Sequence, residues 1–232
     1  VSIVLMLLGG TNFYASLLLL KGRFKDFFRH CENKVVIAMM VFFIPVFTII
    51  LYQGKYCPTV ASSAMNAAFH VVSAFSTTGY TTVNNFMQYA PACFIPMIIM
   101  MIIGGATNST AGGIKQYRAA VLAKSLFWNV KRKIVPDRFS YSVKINRFGK
   151  NVELTQDETD EVYAYVMIHI LVLFAGTFGL TLCGYSFEDS MFEFSSALGT
   201  IGMSIGITTR QMGAPALWIQ TVGMLIARLE VY

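Results

Sequence analysis

Residues 61–82 read ASSAMNAAFHVVSAFSTTGYTT. The first fifteen are small or apolar and carry no formal charge. Fifteen helical residues span only about 22 Å, short of the roughly 30 Å apolar core of a bilayer. The stretch then stops at Ser76-Thr77-Thr78-Gly79-Tyr80-Thr81-Thr82, a polar run with glycine at its centre. A second short stretch has the same design: it follows Glu188, Asp189 and Glu193 and ends in Gly199-Thr200-Ile201-Gly202-Met203-Ser204-Ile205-Gly206. Each is too short to cross a membrane and too apolar for water, so both are expected to enter a bilayer and leave on the side they came from.

The surrounding chain supports a membrane setting. Of 232 residues, 55% are hydrophobic and 13% charged, with a mean hydropathy of +0.58; soluble domains carry about 25% charge. Long uncharged runs occupy residues 35–52, 89–105, 162–187 and 212–227, and a further apolar run, 1–20, is interrupted at Gly9-Gly10-Thr11-Asn12. The 18 basic residues exceed the 12 acidic ones, but they lie between the apolar runs, as in membrane loops and not as in a nucleic-acid surface. Cys31, Cys57, Cys93 and Cys183 have no metal-ligand spacing and read as small buried hydrophobes, with a Cys57–Cys93 disulfide as the minor alternative. Val1 is preceded by no initiator Met and both ends fall in apolar runs, so an internal piece of a longer membrane protein is expected.

Basic residues mark cytoplasmic loops. Residues 21–34 and 115–150 are then inside, and residues 53–88 and 184–211 outside. This order closes only if the long runs span and the two half-length stretches are re-entrant. Non-helical backbone at membrane depth is tolerated where protein or a water-filled cavity surrounds it, so each polar turn is expected to return through a vestibule as extended chain.

The two polar turns also superpose in sequence. With a shift of 123 residues, Phe69, Ser73, Ala74, Thr77 and Gly79 fall on Phe192, Ser196, Ala197, Thr200 and Gly202, five identities in fourteen positions. A repeated unit with a buried loop at its centre is the pattern of a pore or binding site between repeats. Backbone carbonyls in such a loop can replace the water shell of an alkali cation without a fixed charge that would trap it. Gly79 and Gly202 supply the unusual dihedrals this needs, and the loops contain no carboxylate, which favours K⁺ over Ca²⁺. The plainer reading is a Gly/Thr-rich turn between ordinary helices, which leaves the half-length stretches unexplained.

Gly104-Gly105 is followed by Ala106-Thr107-Asn108-Ser109-Thr110-Ala111-Gly112-Gly113. The helix before it is too short to carry the patch clear of the bilayer, so it reads either as a flexible polar plug under the filter or as a cytoplasmic turn, with helix resuming near Ile114. It is no phosphate loop, lacking Gly-Lys-Ser/Thr. Arg228 closes the last apolar run, where it can snorkel or face the pore. His70 and His169, without a second ligand at metal spacing, read as packing or hydrogen-bonding residues. Glu193, which takes the place of His70 in the second repeat, is expected near the outer mouth, raising local cation concentration.

Together with Ala227-Arg228-Leu229-Glu230, the stretches at 75–82, 104–115 and 197–204 resemble the membrane subunit of the Trk/Ktr/HKT potassium transporters. The Ser-Thr-Ala-Gly-Gly-Ile-Lys run at 109–115 is the specific part, and the likeness covers nearly the whole chain. It implies an all-α membrane protein of helix–pore loop–helix repeats with re-entrant half helices and extended filter loops, four repeats around one pore. Residues 1–34 would be the end of repeat two, 35–130 repeat three, 131–161 a cytoplasmic linker and 162–232 repeat four. The filter residues carry over to Thr77, Thr78, Gly79 and Tyr80 and to Thr200, Ile201, Gly202 and Met203. The gating elements carry over to Gly104, Gly105, Asn108, Ser109, Thr110, Gly112, Gly113 and Arg228. The implied function is K⁺ uptake across the inner (cytoplasmic) membrane with no cofactor in this chain. A Na⁺-permeable or Na⁺/K⁺ co-transporting relative is the alternative, and both uniport and symport fit such a filter. A membrane-embedded enzyme would need a clustered acid, base, nucleophile or metal set in the spans, which the sequence lacks; a structural subunit would not need the filter loops. The resemblance also implies a homodimer and a cytosolic nucleotide-binding regulatory subunit, with no nucleic acid. The basic block at 115–150 would serve that subunit or anchor to anionic lipid. Ala106-Thr107-Asn108 and Ala227 depart from the usual pattern of the family, at positions that bear on gating.

Overall fold

A computed structural model describes residues 1–83, 86, 89, 91–134, 144–209 and 211–229. Among the described residues the regular elements are helices and one hairpin: α1 (Ser2–Gly10), α2 (Phe13–Leu20), α3 (Phe24–Arg29), α4 (Cys31–Gln53), α5 (Val60–Phe75), α6 (Phe94–Ile103), α7 (Gln116–Ile134), β1 (Lys144–Arg147), β2 (Lys150–Glu153), α8 (Gln156–Leu182), α9 (Phe187–Leu198) and α10 (Ala214–Leu229). α4 and α8 are long and apolar enough to cross a membrane. Their outer faces leave Val41, Phe42 and Ile49 on one and Leu171, Phe174 and Phe178 on the other exposed, an arrangement suited to lipid.

The half-length helices start on side-chain caps. Thr59 accepts the Ser62 N–H ahead of α5, and Ser186 accepts the Asp189 N–H ahead of α9. Thr155 caps α8 at Glu158, the Thr-x-x-Glu spacing of a capping box. α5 packs on α4 and α6, and α9 packs on α8, α10 and α6. The main core lies where these meet, with Phe47, Phe75, Phe86, Met97, Met101, Phe192 and Ile205 all buried. Cys57 and Cys93 are buried thiols with no disulfide between them; Cys57 Sγ accepts the Asn66 amide at 3.2 Å.

Three features differ from the sequence reading. The run 1–20 is sharply broken: α1 and α2 meet at 116°. Asn12 causes the restart, its side chain accepting the Tyr14 N–H as the N-cap of α2. The run 89–105 gives a 3-10 turn at Pro91–Cys93 leading into the ten-residue α6, which ends at Gly104 with φ +66°. Residues 131–161, expected as a linker, hold the end of α7, the hairpin and the start of α8. The hairpin turns through Phe148 and Gly149, both at positive φ, the two-residue geometry whose twist matches paired strands. Ile145 anchors it, buried against Ile114, Val121, Val162 and Val166.

Candidate functional site

α5 and α9 end in the same hydrogen-bonded motif. After α5, the Thr78 N–H donates to the Ser73 carbonyl and the Thr77 N–H to the Ala74 carbonyl; after α9, Ile201 donates to Ser196 and Thr200 to Ala197. These are the six-to-one and five-to-two bonds of a Schellman cap, which places its penultimate residue in the left-handed region. Glycine usually occupies that position. Here it is Thr77 (φ +51°) and Thr200 (φ +54°), a β-branched residue held where its Cβ is crowded at a cost of about 1–2 kcal/mol. Gly79 (φ +79°) and Gly202 (φ +83°) follow two residues later in both loops. The 123-residue correspondence is therefore a correspondence of backbone conformation.

The strained threonines face a common neighbour. Thr77 Oγ1 accepts the Gly112 N–H at 3.2 Å, and a Cβ on Gly112 would lie 2.4 Å from the Gly199 carbonyl oxygen and 2.9 Å from Thr200 Oγ1. The two loops also touch each other, since a Cβ on Gly79 would come within 2.1 Å of the Ile201 carbonyl oxygen. Thr77, Gly79, Thr200, Ile201 and Gly112 thus form one cluster, with Thr78, Gly202, Tyr80 and Met203 adjoining along the loops. Two helix C-termini point their negative dipole ends into it, which favours a cation.

The repeats differ in how the loops are held from behind. His70 Nε2 accepts the Thr82 N–H at 3.2 Å; at the matching position Glu193 Oε1 accepts the Ile205 N–H at 2.9 Å. Glu193 also accepts the hydroxyls of Ser204 and Thr208, both at 2.6 Å, and is 4% exposed. It braces its loop from inside the protein, which corrects its expected place at an outer mouth; its four neighbours in sequence on the buried side of α9 were the available signal. Ser73 Oγ donates to the Tyr80 carbonyl at 2.7 Å, turning that oxygen toward α5, whereas Ser196 Oγ, its counterpart, has no partner among the described residues.

Under the loops, residues 104–115 leave α6 and return to it. Ile114, Lys115 and Gln116 donate backbone bonds to Ile102, Ile103 and Gly105. Gly104, Asn108, Gly113 and Lys115 all take positive φ. The loop docks on the break between α1 and α2: the Ala106 N–H donates to the Gly10 carbonyl, the Phe13 N–H to the Asn108 carbonyl, and Thr110 Oγ1 to the Gly9 carbonyl. Ser109 Oγ closes the loop on the Ala106 carbonyl, and Gly105 sits so tightly that a Cβ would meet Ala111 Cβ at 2.3 Å. A cavity of about 810 Å³ lies beside Thr107, Asn108 and Ser109, between the loop and Arg118, Glu158 and Tyr165.

Arg228, expected to snorkel or to face the pore as a gating residue, lies in the last turn of α10 with its side chain exposed and no hydrogen bond or ion pair among the described residues. Its neighbour Glu230 lies outside the described residues. The charged group that does reach the loop is Glu32, in the first turn of α4: Oε1 accepts the Thr107 N–H and Oε2 the Asn12 amide, both at 2.9 Å. In sequence Glu32 stands with Asp26 against the basic residues of 21–34, where it reads only as a counter-charge.

The family model described as TrkH, cation transport protein, matches residues 32–232. The chain belongs to the TrkH cation transport family. It is 28% identical over its whole length to an uncharacterized cation transporter of Methanocaldococcus jannaschii, covering 45% of that protein. It is 26% identical over 99% of its length to the Trk system potassium uptake protein TrkH of Salmonella typhimurium, covering 47% of it. The crystal structure of the potassium transporter TrkH from Vibrio parahaemolyticus superposes with a TM-score of 0.83 at 23% identity, over 99% of this chain and 49% of that one. The chain spans about half the length of the relatives it matches. Its fold is that of an all-helical, multi-pass membrane transporter with pore-loop helices.

Proposed function

We propose that this chain is half of a K⁺ uptake protein of the cytoplasmic membrane, and that Thr77–Tyr80 and Thr200–Met203 are two segments of its ion filter. The observation that carries this is the pair of strained, matched helix C-caps meeting at Gly79 and Ile201. A threonine held in the left-handed region is costly, and it recurs at both positions where a cation would meet a helix C-terminus. Residues 1–34, 35–130 and 162–232 are read as the end of one repeat and two further repeats, with 131–161 between them. The driving force is the membrane potential, about 2.3 kcal/mol per charge per 100 mV, and the chain acts as a transporter, not an enzyme.

The intramembrane loop, with Gly104, Gly105, Asn108, Ser109, Thr110, Gly112 and Gly113, is proposed as the gate, since Gly112 abuts both filter threonines. Arg228 is proposed to line the path below it. The full-length protein is proposed to dimerise and to carry a cytosolic nucleotide-binding regulatory subunit, for which the basic segment at 115–150 is the docking face. Cation flux from the full-length protein in liposomes, comparing K⁺, Rb⁺ and Na⁺, tests the reading. K⁺ and Rb⁺ are expected to pass well ahead of Na⁺; equal rates for all three, or no flux from folded protein, would overturn it.

A further inference from the structure

We propose that Glu32 is the latch of the intramembrane loop, tying the loop backbone at Thr107 to the helix junction at Asn12, and that the loop leaves the filter when this tie breaks. The role of the loop in transport rests on the function proposed above; the tie itself does not. Glu32 is 1% exposed, and a buried carboxylate persists only where it is fully hydrogen-bonded. Its two oxygens are divided between two elements that sequence keeps far apart, one accepting from Asn12 and the other from Thr107. It stands in the first turn of α4, where the helix dipole favours a carboxylate.

The bonds that join the loop to α1, α2 and the filter are neutral: the backbone bonds to Gly10 and Phe13, and the hydroxyl bonds of Thr110 and Thr77. A charge-assisted bond is roughly twice as strong as a neutral one, so the Glu32 bond holds the loop more firmly than any of these singly. The tie also reaches the basic-segment face of the protein. His30 Nδ1 accepts the Glu32 N–H, and the Phe148 ring at the hairpin tip rests on the His30 ring at 4.4 Å between centroids. A shift of the hairpin is therefore felt at His30, which bonds the backbone of the latch residue itself.

The test uses the full-length protein, cysteine-free except for Ala111→Cys, whose side chain is buried while the loop is docked, reconstituted in liposomes. The rate of thiol labelling at 111 reports loop release without reference to transport. Glu32→Ala is expected to raise that rate about tenfold, from loss of the charge-assisted bond, and to raise K⁺ flux while leaving the K⁺/Na⁺ ratio within about twofold, since the filter loops are untouched. Glu32→Gln keeps an acceptor for the Thr107 N–H but loses the charge and turns an amide donor toward the Asn12 amide, so it is expected to fall between wild type and Glu32→Ala. Asn12→Asp keeps the cap on α2 but sets a second carboxylate against Glu32, and is expected to behave like Glu32→Ala; it decides the matter if Glu32→Ala fails to assemble. Wild-type labelling rates in folded Glu32→Ala and Asn12→Asp proteins would overturn the latch. Raised labelling with no K⁺ flux in any variant, wild type included, would leave the latch standing and overturn the proposed function.

Discussion

Replacing Glu193 by Ala is expected to lower ion discrimination more than replacing His70, its partner in the repeat, and the structure sets the size of the difference. Glu193 accepts three bonds: the Ile205 N–H at 2.9 Å and the Ser204 and Thr208 hydroxyls at 2.6 Å each. The hydroxyls can turn elsewhere; Thr208 already meets Gln220. The Ile205 N–H cannot, because Ile205 is fully buried, and an orphaned buried donor costs about 1–3 kcal/mol. Adding the loss of one charge-assisted hydroxyl bond gives roughly 3–5 kcal/mol, about two to four decades in the ratio of ordered to disordered loop. His70 holds Thr82 through its N–H and its hydroxyl, both bonds neutral, so their loss in His70→Ala is expected to cost the loop about 1–2 kcal/mol, apart from the global cost of removing a fully buried ring. Glu193→Gln retains an acceptor for Ile205 and is expected to cost about 1 kcal/mol.

The assay is the K⁺/Na⁺ flux ratio of the full-length protein in liposomes, with thermal stability measured alongside to separate loop disorder from misfolding. The expected order of loss is Glu193→Ala, then His70→Ala, then Glu193→Gln. A Glu193→Ala protein with wild-type stability and an unchanged ratio would refute the bracing role. So would a larger effect from His70→Ala, because it would mean that bond count and charge do not decide how firmly each loop is held.

Gly79→Ala is expected to abolish transport and Gly202→Ala only to reduce it, measured as K⁺ flux per folded protein. Both positions have positive φ, but the added Cβ at 79 strikes the Ile201 carbonyl at 2.1 Å while at 202 it meets nothing within 4 Å. Single cysteines at Lys55 and Glu188 are expected to label from one side of the membrane and those at Lys25 and Lys144 from the other; labelling of 55 and 144 from the same side would sink the re-entrant arrangement. Burial lowers the pKa of His30 from its usual 6.5, with Glu32 opposing and Arg147 reinforcing. Below about pH 6.5 the unfolded chain then binds the proton that the folded chain refuses, so stability is expected to fall as pH drops through that value and down to the lowered native pKa. A melting temperature that falls equally in wild type and His30→Gln between pH 7.5 and 5.5 would show that another group is responsible.

What could be read from one dimension were lengths and interruptions. Fifteen apolar residues ending in Ser-Thr-Thr-Gly announce a helix too short to cross, and the structure places α5 within a residue of that reading; α9 starts earlier than read, at Phe187, and takes in Glu188, Asp189 and Glu193. The break after Gly104 was equally plain, because glycines and polar residues at bilayer depth leave few alternatives. Partners were not readable. Thr77 and Thr200 occupy left-handed positions against their own preference, and the Gly112 that meets both side chains lies in another element. Glu32 lies 75 residues from the N–H it accepts, and its neighbours in sequence are basic, so it passed for a surface counter-charge. Arg228 drew attention because a charge at the end of an apolar run is conspicuous, while Glu193 was misplaced because the turn it braces comes after it in the chain. The hairpin escaped notice because its strands are four residues each and mostly polar.

The two broken helices solve each other's problem. A break at bilayer depth frees backbone donors and acceptors that lipid cannot satisfy. At the first break the carbonyls of Gly9 and Gly10 and the N–H of Phe13 are freed; at the second, the N–H groups of Ala106, Thr107 and Gly112 and the carbonyl of Asn108. Gly10 takes Ala106, Asn108 takes Phe13, Gly9 takes the Thr110 hydroxyl, Thr77 takes Gly112, and Glu32 takes Thr107. Each break therefore serves as the other's solvent, and neither is stable where it stands without its neighbour. Close approach requires a residue without a side chain: a Cβ on Gly10 would lie 3.0 Å from the Ser76 backbone and 2.9 Å from the Phe75 ring, the end of α5. The junction at residues 9–12 thus touches both the loop beneath the filter and the helix that leads into it. Movement of the loop must expose the polar groups of the α1–α2 break as well as its own, and the bonds given up on both sides set the barrier to that movement.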